Sequence, residues 1–198
     1  MVMRRHKMIA CVAGLLLASV MCLFLSTNQS TYSDLGAALE EPTNARELYL
    51  EGTGITHLPS SIERLRRLRV LCIAEPALQA LPPQVAGLTN LEELIITRSA
   101  LSSFPVVVTR LQNLVKLEIQ NTGISSLPPE IRELQRLEEL NLPGNAISIV
   151  PNEIGELRHL RFLLLAGNPI SNDDRQRIRE LIPTAHIFFE QSGVEASR

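Results

Sequence analysis

The stretch LPPEIRELQRLEELNLPGN, residues 127–145, places leucines at Leu127, Leu134, Leu137 and Leu140. These spacings suit neither one long helix nor one strand, and Pro128 and Pro129 stop the stretch from being a single element. A longer period accounts for it. Leu48, Leu71, Leu94, Leu117, Leu140 and Leu163 recur every 23 residues without a slip. Pro59, Pro82, Pro105, Pro128 and Pro151 keep the same step, and so do Ile62, Val85, Val108, Ile131 and Ile154. Six registers of the template LxxLxLxxxxLxxLPxxIxxLxx cover residues 45–183. The quoted stretch is the second half of one unit and the first half of the next.

The template dictates local structure. In Leu140, Asn141 and Leu142, alternation sends two leucines inward and the residue between them outward, as in a strand exposed on one face. The LPxxIxxL half is expected to form a short helix with proline in its first turn, where a missing N–H costs little, and with Ile and Leu on one side. Each unit has one apolar side and cannot bury it alone. Stacked neighbours bury a continuous core, with parallel strands about 4.8 Å apart.

On these columns, and on LRRLRVLCIAEPALQALPPQVAGL (65–88) and LRFLLLAGNPI (160–170), the sequence resembles the leucine-rich repeat family, in its 23-residue LPxxI class. The resemblance implies an α/β solenoid with a curved parallel sheet on the concave side and short helices or turns on the convex side. Proteins of that class serve as intracellular scaffolds in plants and animals and as surface or secreted proteins in bacteria. The family usually places Asn after the strand, where its amide bonds the buried backbone of the bend. Here that column holds Thr53, Pro76, Ser99, Thr122, Asn145 and Asn168. Thr and Ser can make part of those bonds, whereas Pro76 has no side-chain donor or acceptor. The bend at Pro76 is therefore expected to be irregular, a defect in stability before it is a functional bulge.

The ends of the solenoid need covers. Thr31 and Asp34 offer a capping box before LGAALEE, which stops at Pro42, and Ser171 with Asp174 offers another for RQRIRELI, which Pro183 ends. AHIFF, residues 185–189, is expected to be a last strand. The chain thus divides into an N-terminal signal or anchor segment (1–29), a cap (30–44), six repeats (45–183), and a terminal strand with a disordered tail (184–198).

Residues 8–25, MIACVAGLLLASVMCLFL, carry no charge and follow Arg4, Arg5 and Lys7. As a helix they would measure roughly 27 Å, close to the hydrocarbon thickness of a bilayer. No small-x-small cleavage site stands out, so an uncleaved membrane anchor is preferred to a cleaved signal peptide. Lipid attachment at Cys22 is disfavoured by Met21 before it. The basic flank keeps that end cytoplasmic and places the repeats outside the cytoplasm, membrane-anchored, secreted or periplasmic. With one cysteine, Cys72, beyond that segment, no disulfide can form within the repeats, although one to another chain can.

Charge narrows the partners. The chain holds 19 Lys and Arg against 21 Asp and Glu; without Arg4, Arg5 and Lys7 the balance is 16 against 21, or −5. A mildly acidic domain is a poor binder of nucleic acid. The cluster ERLRRLR, residues 63–69, is a solvated convex face, with attraction to an anionic membrane surface as the sharper alternative. No Gly-rich phosphate loop, HExxH or GxSxG occurs, and His57, His159 and His186 fall in unrelated columns. Catalysis, a cofactor and a metal are accordingly not expected.

What remains is the concave face. Its outward column is Tyr49, Cys72, Ile95, Glu118, Asn141 and Leu164; a second column holds Glu47, Val70, Glu93, Lys116, Glu139 and Phe162, with Glu92 and Glu138 beside it. Six strands with two or three such columns give roughly 600–800 Å², about one side of a standard protein interface. Tyr49, Ile95, Phe162 and Leu164 are the natural anchors. The expectation is a monomeric, noncatalytic module that binds an unidentified protein through Tyr49, Cys72, Ile95, Glu118, Asn141, Phe162 and Leu164. A secreted effector released by signal cleavage and a structural envelope spacer are the competing readings.

Overall fold

A computed structural model describes residues 30–190. The apolar segment 8–25 and the tail 191–198 lie outside the described residues. Among the described residues, no helix is long and apolar enough to cross a membrane.

Among the described residues, eight strands form one parallel sheet in chain order: β1 Thr31–Tyr32, β2 Glu47–Glu51, β3 Val70–Ala74, β4 Glu93–Thr97, β5 Lys116–Gln120, β6 Glu139–Asn141, β7 Phe162–Leu164 and β8 His186–Phe188. From β2 to β7 the register steps by one repeat, Leu48 opposite Leu71 and finally Leu140 opposite Leu163. The periodic columns fill the core. Leu48, Leu71, Leu94, Leu117, Leu140 and Leu163 are 0% exposed, as are Ile62, Val85, Val108, Ile131 and Ile154. Each such burial contributes about 1.5–3 kcal/mol before the entropy of ordering is subtracted.

The return half differs from the expected helix. Residues Ser60–Arg64, Pro83–Gly87, Val106–Arg110, Pro129–Glu133 and Asn152–Glu156 form 3₁₀ turns, preceded by the column prolines in extended conformation, with ψ between 93 and 157°. These prolines therefore cap the turns rather than lie in their first turn. The closing leucine donates its N–H to the carbonyl three residues back, Leu65 to Ile62 at 3.0 Å and Leu134 to Ile131 at 3.1 Å. A three-residue turn puts Ile and Leu of IxxL on the same side, which is what the core requires.

Both ends are covered. Helix α1, Leu35–Glu40, is capped by Asp34, whose Oδ1 accepts from the Ala37 N–H at 2.7 Å. Thr31 instead lies in β1 opposite Glu47, so the capping box read between Thr31 and Asp34 does not form. Helix α2, Asn172–Leu181, starts at Ser171, whose oxygen accepts from the Asp174 N–H at 3.1 Å and whose hydroxyl donates to the Asp174 carboxylate at 2.8 Å. That bond, then the one from Arg177, holds the Asp174 carboxyl below the usual carboxylate range.

The bends explain why the asparagine column can be broken. Asn145 donates to the carbonyls of Ile119 (2.7 Å) and Leu142 (2.9 Å) and accepts from the N–H and hydroxyl of Thr122. Asn168 repeats the pattern on Leu142, Leu165 and the Ile147 N–H. In the row just after the strand, Gly52, Arg98, Asn121, Gly144 and Gly167 have φ between +50 and +73°. Glu75 occupies the same row with no positive φ. Pro76 explains this, because a residue before proline is driven into extended conformation. The Glu75 side chain then turns inward, 0% exposed, and accepts from the Thr53 N–H and hydroxyl, both at 2.7 Å, and from the Gly54 N–H at 3.0 Å. The bend at Pro76 is thus irregular in backbone, as expected, and the Glu75 carboxylate supplies bonds that Pro76 cannot make.

Candidate functional site: the concave face

Strand alternation presents three columns on the concave side. The first runs Glu47, Val70, Glu93, Lys116, Glu139, Phe162 and His186; the second runs Tyr49, Cys72, Ile95, Glu118, Asn141, Leu164 and Phe188. The third begins Glu51, Ala74, Thr97 and Gln120. Side chains of one column stand side by side about 4.8 Å apart, so they cover one another.

That packing redistributes exposure among the sequence-predicted residues. Cys72, Ile95 and Glu118 are only 4, 8 and 6% exposed, although they point to the concave side. Tyr49, Asn141, Phe162 and Leu164 are half-buried. Cys72 is buried, so it offers little sulfur surface for a bond to another chain. Beside Glu118, Lys116 is 9% exposed, and its Nζ lies 3.3 Å from the Glu118 carboxylate. A polar band consequently crosses the middle of the sheet, where Lys116 has Glu93 and Glu139 as register neighbours.

Apolar surface lies on either side of the band. Toward the first repeat stand Tyr49 and Val70, the Tyr49 hydroxyl donating to Glu47 at 3.3 Å. Toward the last stand Phe162, Leu164 and Phe188. The Phe162 ring stacks on His186 with centroids 5.5 Å apart, and the Arg161 guanidinium sits 5.7 Å from its centre. Phe188, opposite Leu164, is 44% exposed. The sequence reading did not place Phe188 on this face. Its register step, Leu164 to Phe188, is 24 residues rather than 23, so counting by the repeat puts Ile187 there; alternation within AHIFF is the signal that recovers it.

The rim is charged and paired. Arg98 reaches Glu51 at 3.2 Å, and at the strand starts Arg69 grips Glu92 while Arg161 approaches Glu138 at 3.5 Å. Among the described residues, no group of three or more His, Cys, Asp or Glu could hold a metal ion. The arrangement is a surface of alternating apolar and polar zones, suited to recognition of another macromolecule.

The fold and the periodic columns agree with an independent match: residues 112–170 fit the family model of the leucine rich repeat. Residues 112–170 are leucine-rich repeats. Solved leucine-rich repeat structures align with most of the chain. A leucine-rich repeat protein of Leptospira interrogans is 26% identical, with a TM-score of 0.55 over 76% of this chain and 51% of that one. Internalin C2 of Listeria monocytogenes is 24% identical, with a TM-score of 0.63 over 80% of this chain and 66% of that one. The leucine-rich repeat ectodomain of the plant membrane receptor kinase GASSHO1/SCHENGEN3 from Arabidopsis thaliana, solved in complex with Casparian strip integrity factor 2, is 19% identical, with a TM-score of 0.50 over 73% of this chain and 21% of that one. The chain therefore spans about half of the first of these and 66% of the second. No curated protein sequence matches the chain. The leucine-rich repeat fold is consistent with a protein-interaction module, and no catalytic family accompanies it.

Proposed function

We propose that this leucine-rich repeat solenoid is a noncatalytic protein-binding module, held outside the cytoplasm by the apolar segment 8–25, with the concave face as its recognition surface. The observation that supports the reading is the division of that face. Apolar side chains at Tyr49, Phe162, Leu164 and the exposed Phe188 flank the Lys116–Glu118 ion pair. Apolar anchors beside a buried charge pair are the composition that gives an interface both affinity and orientation. A spacer has no use for an aromatic side chain such as Phe188 left 44% exposed on the sheet. Two compatible precedents are the internalin and the receptor ectodomain, the latter solved with a bound factor.

The test is affinity capture from native membranes with the full chain, followed by crosslinking to locate the contact. The wild type is compared with Tyr49→Ser/Phe162→Ala/Phe188→Ser and with the convex control Val106→Ser, all with equal melting temperatures. Concave recognition predicts a partner crosslinked to β2 or β7, kept by Val106→Ser and lost by the triple variant. Identical partners for all three proteins would refute it.

A further inference from the structure

A second surface of the molecule has a different chemistry. Arg46, Arg67 and Arg69 line a recess of about 230 Å³ together with Asn90 and Glu92. The repeat builds it. Arg46, Arg69 and Glu92 occupy the position before successive strands, tied by bonds from the Arg69 N–H to the Arg46 carbonyl (2.7 Å) and from the Glu92 N–H to the Arg69 carbonyl (2.9 Å). Their side chains therefore leave the backbone about one strand spacing apart. Arg67 comes in from the preceding turn, anchored by an Nη1 bond to the Thr43 carbonyl at 3.4 Å.

The charges in this row are uneven. Further along, Arg161 faces Glu138 as a matched pair. Among the residues lining the recess, one carboxylate, Glu92, stands beside three guanidiniums. Arg69 spends Nε and Nη2 on Glu92, at 3.1, 2.8 and 2.6 Å, which leaves Nη1. Arg46 and Arg67 have no carboxylate partner within salt-bridge distance among the described residues. Glu47 and Glu93 act on Arg69 from the next strand positions, but Glu47 already accepts from the Thr31 and Tyr49 hydroxyls. Asn90 donates its amide to the Arg66 carbonyl at 2.7 Å and adds no negative charge. Crowding guanidiniums without counter-charge is unfavourable, and an anion reverses the sign of that energy.

We infer that the Arg46, Arg67 and Arg69 recess binds a phosphate-type oxyanion. One guanidinium fork satisfies a carboxylate completely, whereas a tetrahedral oxyanion offers acceptors in several directions to donors converging from three side chains. The recess also lies where residues 1–29 join the solenoid, because the Ser30 carbonyl accepts from the Arg46 and Glu47 N–H groups at 2.8 and 3.1 Å. Five peptide steps separate Leu25 from Ser30, a reach of at most about 18 Å. With residues 8–25 in a bilayer, a lipid phosphate headgroup is within range; free phosphate is the other source of the same chemistry. This inference stands on different residues from the concave-face reading and survives its failure.

The experiment uses the full chain in neutral detergent micelles and follows the arginine Nε–H resonances by NMR. Inorganic phosphate, sodium acetate at equal ionic strength, and phosphatidate doped into the micelles are titrated in turn. The expected result is a saturable shift confined to Arg46, Arg67 and Arg69, at least tenfold tighter for phosphate or phosphatidate than for acetate. Arg46→Gln/Arg67→Gln should weaken it tenfold or more, whereas the distant Arg132→Gln/Arg136→Gln should not. Glu92→Gln frees the Arg69 fork and should tighten binding threefold or more, a gain that a damaged fold cannot imitate. Saturation at lower concentration by phosphatidate assigns the site to lipid; tighter saturation by inorganic phosphate assigns it to a soluble ligand. Non-saturating shifts shared by all the arginines, or equal affinity for acetate, would overturn the inference.

Discussion

Replacing Glu75 by alanine should cost more stability than any other single change at the bends. The carboxylate is fully buried and accepts three bonds, from the Thr53 N–H, the Thr53 hydroxyl and the Gly54 N–H. Bonds to a charged acceptor contribute about 1.5–3 kcal/mol each. Thr53 and Gly54 are themselves exposed, so water enters after truncation and recovers part of that sum. The expected loss is about 3–5 kcal/mol for Glu75→Ala. Glu75→Gln keeps the volume and one carbonyl oxygen for Thr53, but its NH₂ meets the Gly54 N–H donor to donor; about 1–2 kcal/mol should be lost. Equilibrium urea unfolding of the full chain in neutral detergent measures both, and hydrogen exchange gives a local reading. The Thr53 and Gly54 amides should lose protection tenfold or more in the alanine variant, while those of β6 and β7 keep theirs, because each repeat contacts only its neighbours. Two variants within about 0.5 kcal/mol of wild type, with unchanged exchange at Thr53 and Gly54, would refute the brace.

Three further outcomes follow from the same geometry. At Gly144 an added Cβ would strike the Asn121 side-chain oxygen, whereas at Gly52 it would meet nothing within 4 Å; both have positive φ. Gly52→Ala should therefore cost about 1–2 kcal/mol of backbone strain, and Gly144→Ala clearly more, by thermal unfolding. Lys116→Met leaves the Glu118 carboxylate covered and unpaired, which should destabilise by about 2–4 kcal/mol, while Lys116→Met/Glu118→Leu should recover most of it; a double-mutant cycle in urea decides. The buried Ser99 hydroxyl has no hydrogen-bond partner among the described residues, so Ser99→Ala should hold or raise stability by up to about 1 kcal/mol, and a loss of that size would mean that the hydroxyl is satisfied.

The legible part of the molecule was the part that repeats. Leucine and isoleucine at fixed intervals can bury themselves in only one arrangement of stacked units, so the parallel sheet, its register from Leu48 to Leu163 and the core columns could be read before any coordinates. The proline column was placed one position late because sequence spacing does not separate a short α-helix from a 3₁₀ turn. Glu75 escaped notice for a different reason: the column predicts where asparagine should be, and a carboxylate one residue away reaches the same N–H groups only because Pro76 turns the backbone. β1 and the position of Phe188 were hidden by breaks in period, at the ends where the template no longer holds.

The concave face shows what a column pattern leaves undetermined. Alternation assigns a direction to every strand residue, but exposure depends on the lateral neighbour, which sits on another repeat. Ile95 and Cys72 stand between flanking strands and lose almost all contact with solvent, whereas Phe188, on the last strand among the described residues, has a strand neighbour there on one side and keeps 44% exposure. A partner approaching this face therefore meets little of the central apolar column directly. On the proposed reading its first contacts are expected at the half-buried Tyr49 at one end, at Phe162 and Phe188 at the other, and at the carboxylates Glu93 and Glu139 between them. Because these contacts are separated across the curve of the sheet, losing one end should raise the dissociation rate without abolishing encounter, and losing both should abolish binding. Surface-plasmon comparison of Tyr49→Ser, Phe188→Ser and the double variant, against the partner found by capture, tests this. Full loss from Tyr49→Ser alone would concentrate recognition in the first repeats and remove the last strand from the site.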